Sequence, residues 1–255
     1  MRVGAYDEDR YDRMRRIDWL DVDALAGTRC LIVGAGALGN EAVKCMALAG
    51  FGELTIVDTD AVDISNLSRC VLFGDDDDGA SKAEVLAARA EELNPDVRAT
   101  AVVARVQELD DWGYGIVLGC LDNVAARLHV NAHAVHHSVP YVDGATDGFR
   151  GKVQAVLPGG PCLECAMNRS HMELMDTRFS CTGGGTIFRP RMAAEITTTS
   201  VVAAVQVREA MKIASGRSDL CMRNVMYYDG VTGASDIYGL SVDPGCPNHE
   251  RSGSE

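Results

Sequence analysis

Lysine is scarce in this chain, supplying only four of its 24 basic residues. Against 37 acids that leaves a net charge of −13, which argues against the broad basic face that non-specific nucleic-acid binding requires. No run of 18 apolar residues occurs, so no membrane-spanning helix is expected. The opening residues, MRVGAYDEDRYDRMRRID, lack the apolar core of a secretory signal, and the expected location is the cytoplasm. Without such a signal, nine cysteines do not describe a disulfide framework. Cys30, Cys45 and Cys120 fall within apolar segments and read as small buried hydrophobes, while Cys70 and Cys221 have no evident partner. The acid run Asp75 to Asp78 fits a surface adapted to a salty cytoplasm. A solvated loop in a compositionally biased genome gives the same pattern.

What is present is ordinary for a soluble enzyme: 255 residues, 47% hydrophobic and 24% charged, enough for one large α/β domain. Residues 1–26 read as a charged helical arm. RCLIVG reads as a first buried strand, 37–49 as a helix and ELTIVD as a second strand. SKAEVLAARAEELNP is an amphipathic helix with Ser81 as its N-cap, stopped at Asn94-Pro95. RATAVVARV and GIVLGCLD are further strands, followed by a helix from Val124 to His137. Alternating strands and helices indicate a Rossmann-like, doubly wound sheet, mainly parallel. From Tyr141 the pattern becomes turn-rich and suits antiparallel additions. A polar, irregular stretch spans 168–192, and TTTSVVAAVQVREAMKIASG is a long helix ended by Gly216. Two last strands, NVMYYDG and ASDIYGLSV, lead to a tail at 250–255 that reads as disordered. The expectation is a single domain over 1–255.

Gly34, Gly36 and Gly39 form G-x-G-x-x-G between the first strand and its helix. The first permits a tight turn, the second lets backbone approach phosphate, and the third lets helix and sheet pack closely. Asp58 ends the second strand, where a carboxylate can hold ribose hydroxyls. Alone, this spelling suggests NAD and a dehydrogenase. Downstream, however, come Asp60, the block ISNLSR with Asn66 and Arg69, then Lys82, and LDN with Asp122 and Asn123. A dinucleotide needs one pyrophosphate site and no metal, whereas a triphosphate under attack needs several cations and a carboxylate for Mg²⁺. Arg69 and Lys82 supply the cations, and Asp122 follows a strand where a metal ligand is well placed. Singly each reads as a surface charge; together on successive βα loops they favour ATP.

Cys162 and Cys165 form C-x-x-C, and Cys246-Pro-Asn-His249 forms C-x-x-H. Two such hooks make a closed Cys₃His set suited to structural Zn²⁺. The alternative, a redox C-x-x-C opening a helix, lacks its thioredoxin-like context. His129, His133, His136 and His137 sit near one helix, and without a carboxylate or cysteine they read as a solvated face.

The blocks GAGALGNEAVKCMALAGFGELTIVDTDAVDISNLSR, GASKAEVLAARAEELNP, GCLDNVAAR and YVDGATDGFRGKVQAVLPGGPCLEC resemble the ThiF/MoeB and ubiquitin-activating enzyme family. The stretch Val142 to Cys165 and the triplet Ser180 to Thr182 are similar to the eukaryotic ubiquitin-type activating subunits. The resemblance implies an adenylyltransferase acting on the C-terminal glycine of a ubiquitin-like or sulfur-carrier protein of β-grasp fold ending in Gly-Gly. It assigns Asp58 and Asp60 to the ribose and metal neighbourhood, Asn66, Arg69 and Lys82 to phosphates, and Asp122 to Mg²⁺. Arg10 and Arg13 in RYDR match the family's N-terminal arm, whose second arginine reaches the partner subunit's ATP. The alternative for Arg13 is an exposed member of a basic cluster with Arg15 and Arg16. Because this chain carries both the nucleotide residues and the arginine, a homodimer is expected. Cys181, in TRFSCTGGGTIF, is the candidate thioester or sulfur-transfer cysteine, with Arg178 and Arg189 near in sequence. His249 departs from the family's second C-x-x-C. The chain has no room for a large catalytic-cysteine insertion and shows no ubiquitin-fold or rhodanese segment, so adenylation is better supported than thioester formation. Downstream partners would be a conjugating enzyme or a sulfurtransferase. Rival readings are a non-catalytic partner subunit, or an enzyme adenylating a peptide or tRNA-linked carboxylate.

Overall fold

The structure, a computed structural model, describes residues 6–167, 193–222 and 225–249. Its centre is one eight-stranded sheet in the order β3-β2-β1-β4-β5-β6-β7-β8. The strands are β1 Arg29–Val33, β2 Glu53–Val57, β3 Arg98–Val102, β4 Ile116–Gly119, β5 Tyr141–Asp147, β6 Arg150–Val156, β7 Val225–Asp229 and β8 Ala234–Tyr238. Strands β3 to β5 in this order pair in parallel, and β5 to β8 pair antiparallel. The sequence places the segment beginning at Tyr141 among the antiparallel additions. In the fold β5 has both roles, running parallel to β4 because a full crossover helix precedes it and antiparallel to β6 after a tight turn.

The helices are α1 Asp12–Arg15, α2 Val22–Ala26, α3 Ala37–Ala49, α4 Lys82–Leu93, α5 Val124–His136 and α6 Ile196–Ala214. None is long and apolar enough to cross a membrane. The helical arm consists of the two short helices α1 and α2. Ser81 caps α4 as expected, its hydroxyl accepting from the Glu84 amide at 3.4 Å. Gly216 follows α6 with φ +68°, a conformation an L side chain resists.

Two apolar layers cover the sheet. One, against α3, α4 and α6, includes Ile32, Met46, Phe51, Leu54, Ile56, Leu86, Leu118, Val142 and Val202. The other, against α5, includes Leu31, Val33, Val117, Val130, Ala134, Tyr141 and Cys162. Burying both faces makes the central strands read as continuous apolar runs rather than alternating ones. Gln206, fully buried on α6, bolts its helix to the sheet by donating to the Gly119 carbonyl at 2.9 Å and the Val142 carbonyl at 3.1 Å.

The histidine face of α5 is exposed as expected at His136 and His137, but His129 and His133 are half-buried. Trp112 stacks on His133 with ring centroids 4.6 Å apart, and His133 Nδ1 is buried without a hydrogen bond. Burial, with the neighbouring histidines adding to it, lowers the His133 pKa. An indole plane supplied from outside the helix covers what its periodicity leaves open. Cys30 and Cys120 are buried as expected, whereas Cys45 is only partly so.

Candidate functional site

In an open α/β sheet, ligands bind beyond the carboxyl ends of the strands where the order reverses. Here the reversal lies between β1 and β4. The loop after β1 carries Gly34, Gly36 and Gly39; the loop after β4 carries Asp122 and Asn123. Gly34 has φ +101°, and a Cβ there would overlap the Cys120 carbonyl; one on Gly39 would overlap the Gly34 carbonyl. By contrast, a Cβ on Gly36 would meet nothing within 4 Å. Two glycines are therefore demanded by the fold, and the middle one leaves an open cradle at the start of α3. That space beside free helix-terminal amides fits a nucleotide phosphate.

The cradle is braced from below. Asp58 Oδ2 accepts from the Ala35 amide at 2.6 Å and Oδ1 from the Asp60 amide at 2.8 Å. Asp58 thus ties the β2 loop to the glycine turn with both carboxylate oxygens. Asn40, which the sequence reading passed over, is fully buried. Its Nδ2 donates to the Ala35 carbonyl at 3.0 Å and the Gly36 carbonyl at 3.1 Å, while Oδ1 accepts from Leu72 N at 3.0 Å. Because a trans peptide points its N–H opposite its C=O, anchoring these carbonyls inward turns the next amides outward. An asparagine inside a helix of small apolar residues was the available signal, since its side chain competes for backbone bonds there.

Lys82, whose side chain is 12% exposed, pairs with Asp60 at 3.0 Å. Asp60 is itself well exposed, so the pair holds the ammonium at the rim. Asn66 is buried and closes a capping turn, its Oδ1 accepting from the Asp63 amide at 3.1 Å. Arg69 is half-buried and donates to the Ser65 carbonyl at 2.6 Å, folding back over its own turn. Asp122 is exposed. Asn123, assigned to the nucleotide, is the N-cap of α5 and accepts from the Ala126 amide at 2.8 Å.

Arg13 lies on α1, its side chain 83% exposed and paired with Asp7 at 2.8 Å. Arg10, by contrast, is pinned within the chain to Asn94. Cys181 lies outside the described residues, as do Ser180, Thr182, Arg178 and Arg189.

The two sulfur hooks converge. The ligand atoms of Cys162, Cys165, Cys246 and His249 lie within 4.8 Å of one another. Cys162 Sγ stands 3.8 Å from Cys165 Sγ and 3.6 Å from Cys246 Sγ. His249 Nε2 is buried with no hydrogen-bond partner, an orphan that a metal would satisfy. Burial pushes the Cys246 thiol up to about 12, whereas hydrogen bonds from Asn131, Cys165 and Asn248 outweigh burial and lower that of Cys162. Thiols bind a metal as thiolates, so binding here would release protons. The donor set fits tetrahedral zinc.

The sequence reading also missed a buried ion pair. Arg127, in the first turn of α5, holds the fully buried Asp143 of β5 bidentately, with Nε to Oδ1 at 3.0 Å and a second bond from Nη2 to Oδ2. The Tyr141 hydroxyl donates to the same carboxylate at 2.8 Å. Burial works against the guanidinium, but Asp143 keeps it charged, while burial and Asp143 raise the Tyr141 phenol well above its ordinary range.

A model of the ThiF family matches residues 10–248. The chain is 31% identical over 261 residues to the SAMP-activating enzyme E1 of Haloferax volcanii, covering 97% of this chain and 90% of that protein. It is 32% identical over 246 residues to the molybdopterin-synthase adenylyltransferase of Escherichia coli, covering 93% and 94%. The fold is also that of a crystal structure of E. coli MccB with ATP, at a TM-score of 0.79 and 20% identity over 96% of this chain and 74% of that one. With the glycine cradle, the acid–lysine rim and the sulfur hooks in their places, this chain belongs to the ThiF family.

Proposed function

We propose that this protein is an ATP-dependent adenylyltransferase that activates the C-terminal carboxylate of a ubiquitin-like or sulfur-carrier protein ending in Gly-Gly. The observation that carries the reading is the convergence of the open Gly36 cradle, the Asp60–Lys82 pair and Asp122 at the carboxyl ends of β1, β2 and β4. Relatives that match along nearly their whole length bear the names SAMP-activating enzyme and molybdopterin-synthase adenylyltransferase.

In the reaction a carboxylate oxygen attacks the α-phosphorus of ATP, the bond to the bridging oxygen breaks, and pyrophosphate leaves. A carboxylate is already ionised at neutral pH, so no general base is needed. The protein aligns the reactants and stabilises spreading negative charge. Outward amides of the glycine turn hold phosphate, with Asn40 and Asp58 fixing their direction. Lys82 and Arg69 supply positive charge, and Asp60 keeps Lys82 at the rim. Asp122, exposed at the carboxyl end of β4, would hold Mg²⁺, and the ion would supply positive charge against the charge developing on the phosphates. Arg13, exposed on α1, would reach a partner's ATP in a homodimer. The exposed side chains of Tyr227, Val231, Ile237 and Tyr238 at the β7–β8 edge suit a sheet covered in an assembly.

The whole chain acts as one adenylation domain in this reading, with Zn²⁺ on Cys162, Cys165, Cys246 and His249 tying the C-terminal segment to the loop after β6, away from ATP. Cys181 is the acceptor for a subsequent thioester or sulfur transfer. The site is cytoplasmic, and a conjugating enzyme or sulfurtransferase follows. ATP–pyrophosphate exchange stimulated by a Gly-Gly carrier tests the proposal. Failure of exchange with every Gly-Gly carrier of the same genome overturns it in favour of a scaffold subunit.

A further inference from the structure

Three of the four lysines hold a carboxylate: Lys44 pairs with Glu41, Lys82 with Asp60 at 3.0 Å and Lys212 with Glu209 at 2.5 Å. Lys152 on β6 is half-buried, and no carboxylate of the described residues lies within salt-bridge distance of it. Its nearest anion in electrostatic terms is Asp143, already engaged by Arg127 and Tyr141.

The position of Lys152 gives this meaning. Strand β4 ends its pairing at Gly119 opposite Asp143, but β5 runs on to Asp147 against β6. The overhang therefore projects beyond the carboxyl end of β4, the edge from which the Asp122 loop departs. Side chains alternate along strands, so Asp143, Gln154 and Lys152 share one face, and Tyr227, paired with Lys152 across β7, joins them. The same face also carries Asp147, Arg150, Asp229 and Asp236 by register, but the charges that act on Lys152 are those of Asp143 and Arg127. Burial lowers the Lys152 pKa, Asp143 opposes this and Arg127 adds to it. A half-buried cation at this edge, with no carboxylate within salt-bridge distance among the described residues, is stabilised by an anion brought from outside.

We propose that Lys152, flanked by the Arg127–Asp143 pair, is the residue that receives the C-terminal carboxylate of the acceptor before adenylation. The inference rests on the proposed adenylation reaction. As the carboxylate oxygen bonds to the α-phosphorus and pyrophosphate departs, the negative charge facing Lys152 is lost, and its attraction for the acyl end falls. Lys152 thus contributes to acceptor binding rather than to the chemical step.

The test uses a labelled peptide ending in Gly-Gly, as free acid and as C-terminal carboxamide, with the full chain and its Lys152→Met and Lys152→Arg variants. Wild type and Lys152→Arg should bind the acid about 10-fold more tightly than the carboxamide, and Lys152→Met should bind both alike. In exchange assays Lys152→Met should raise KM for the carrier about 10-fold, with KM for ATP unchanged. An unchanged preference for the acid in folded Lys152→Met overturns the assignment. So does a rise in KM for ATP alone, which would give the cation to a phosphate. Carrier-stimulated exchange by wild type is scored separately, so a failure at Lys152 leaves the adenylation reading standing.

Discussion

The two halves of the sheet bury themselves differently. In β1 four of five residues are buried and in β4 all four, whereas all five residues of β8 are exposed. The parallel half forms a rigid floor under a cradle whose geometry is set by backbone: two glycines that admit no side chain, one that meets open space, and Asp58 and Asn40 holding loop to helix. The antiparallel half carries its polar chemistry on side chains, in the cluster of four potential metal ligands and in the buried Arg127–Asp143 pair. A nucleotide phosphate is the same in every turnover, and backbone amides suit it. A protein acceptor calls for side chains that can be varied.

The largest effect expected is on the parallel side. Asp122→Ala should cut ATP–pyrophosphate exchange by at least about 100-fold, with the melting temperature unchanged because Asp122 is exposed. Retained exchange would remove it from the metal role. The glycines sharpen the contrast within one loop. Gly39→Ala must displace the Gly34 carbonyl and should destabilise by about 2 kcal/mol or more in chemical denaturation. Gly36→Ala should melt like wild type yet bind ATP at least about 10-fold more weakly, because its methyl enters the space assigned to phosphate. Equal melting of the two variants would show that the cradle is not built as described.

On the antiparallel side, Cys246→Ser should lose bound zinc, measured by elemental analysis, and lower the melting temperature by several degrees. Undiminished zinc content would assign the metal elsewhere. The smallest effect concerns Glu195, which caps α6 by accepting from Thr198 N at 2.5 Å and Thr197 N at 2.6 Å. Hydrogen bonds from Thr197 and Thr198 hold its carboxyl at about 2, below the ordinary value of 4.5. A depressed folded-state pKa contributes stability that is complete above about pH 4.5 and lost as pH falls towards 2. Glu195→Ala should cost about 1 kcal/mol at pH 7. The difference from wild type should narrow below about pH 4.5, and a constant difference would show that ionisation has no part in the cap.

Much of the candidate site is legible in the sequence. The glycines, Lys82 and the sulfur hooks stand at spacings that few structures satisfy, and α3, α4 and α5 lie where periodicity and caps placed them. Asn123 was read as a ligand because it neighbours Asp122; its place before α5 makes it a helix cap as well. Asn40 hid because one polar residue does not disturb an apolar helical pattern. Arg127, Asp143 and Lys152 hid because each, alone, looks like a surface charge. Their meaning lies in strand register and in the packing of α5 against β5.

The sequence by itself determined the nucleotide loop, the alternation of strands and helices and the two hooks capable of taking zinc. These depend on local geometry: glycine's freedom, 2-residue and 3.6-residue periods, and ligand spacing along a turn. Only the tertiary structure brought Cys162 within 3.6 Å of Cys246, engaged Asp143 with Arg127 and left Lys152 without a carboxylate partner among the described residues. Those outcomes depend on which residues share a desolvated space, and the energies of burial and charge pairing are set by proximity in three dimensions rather than along the chain.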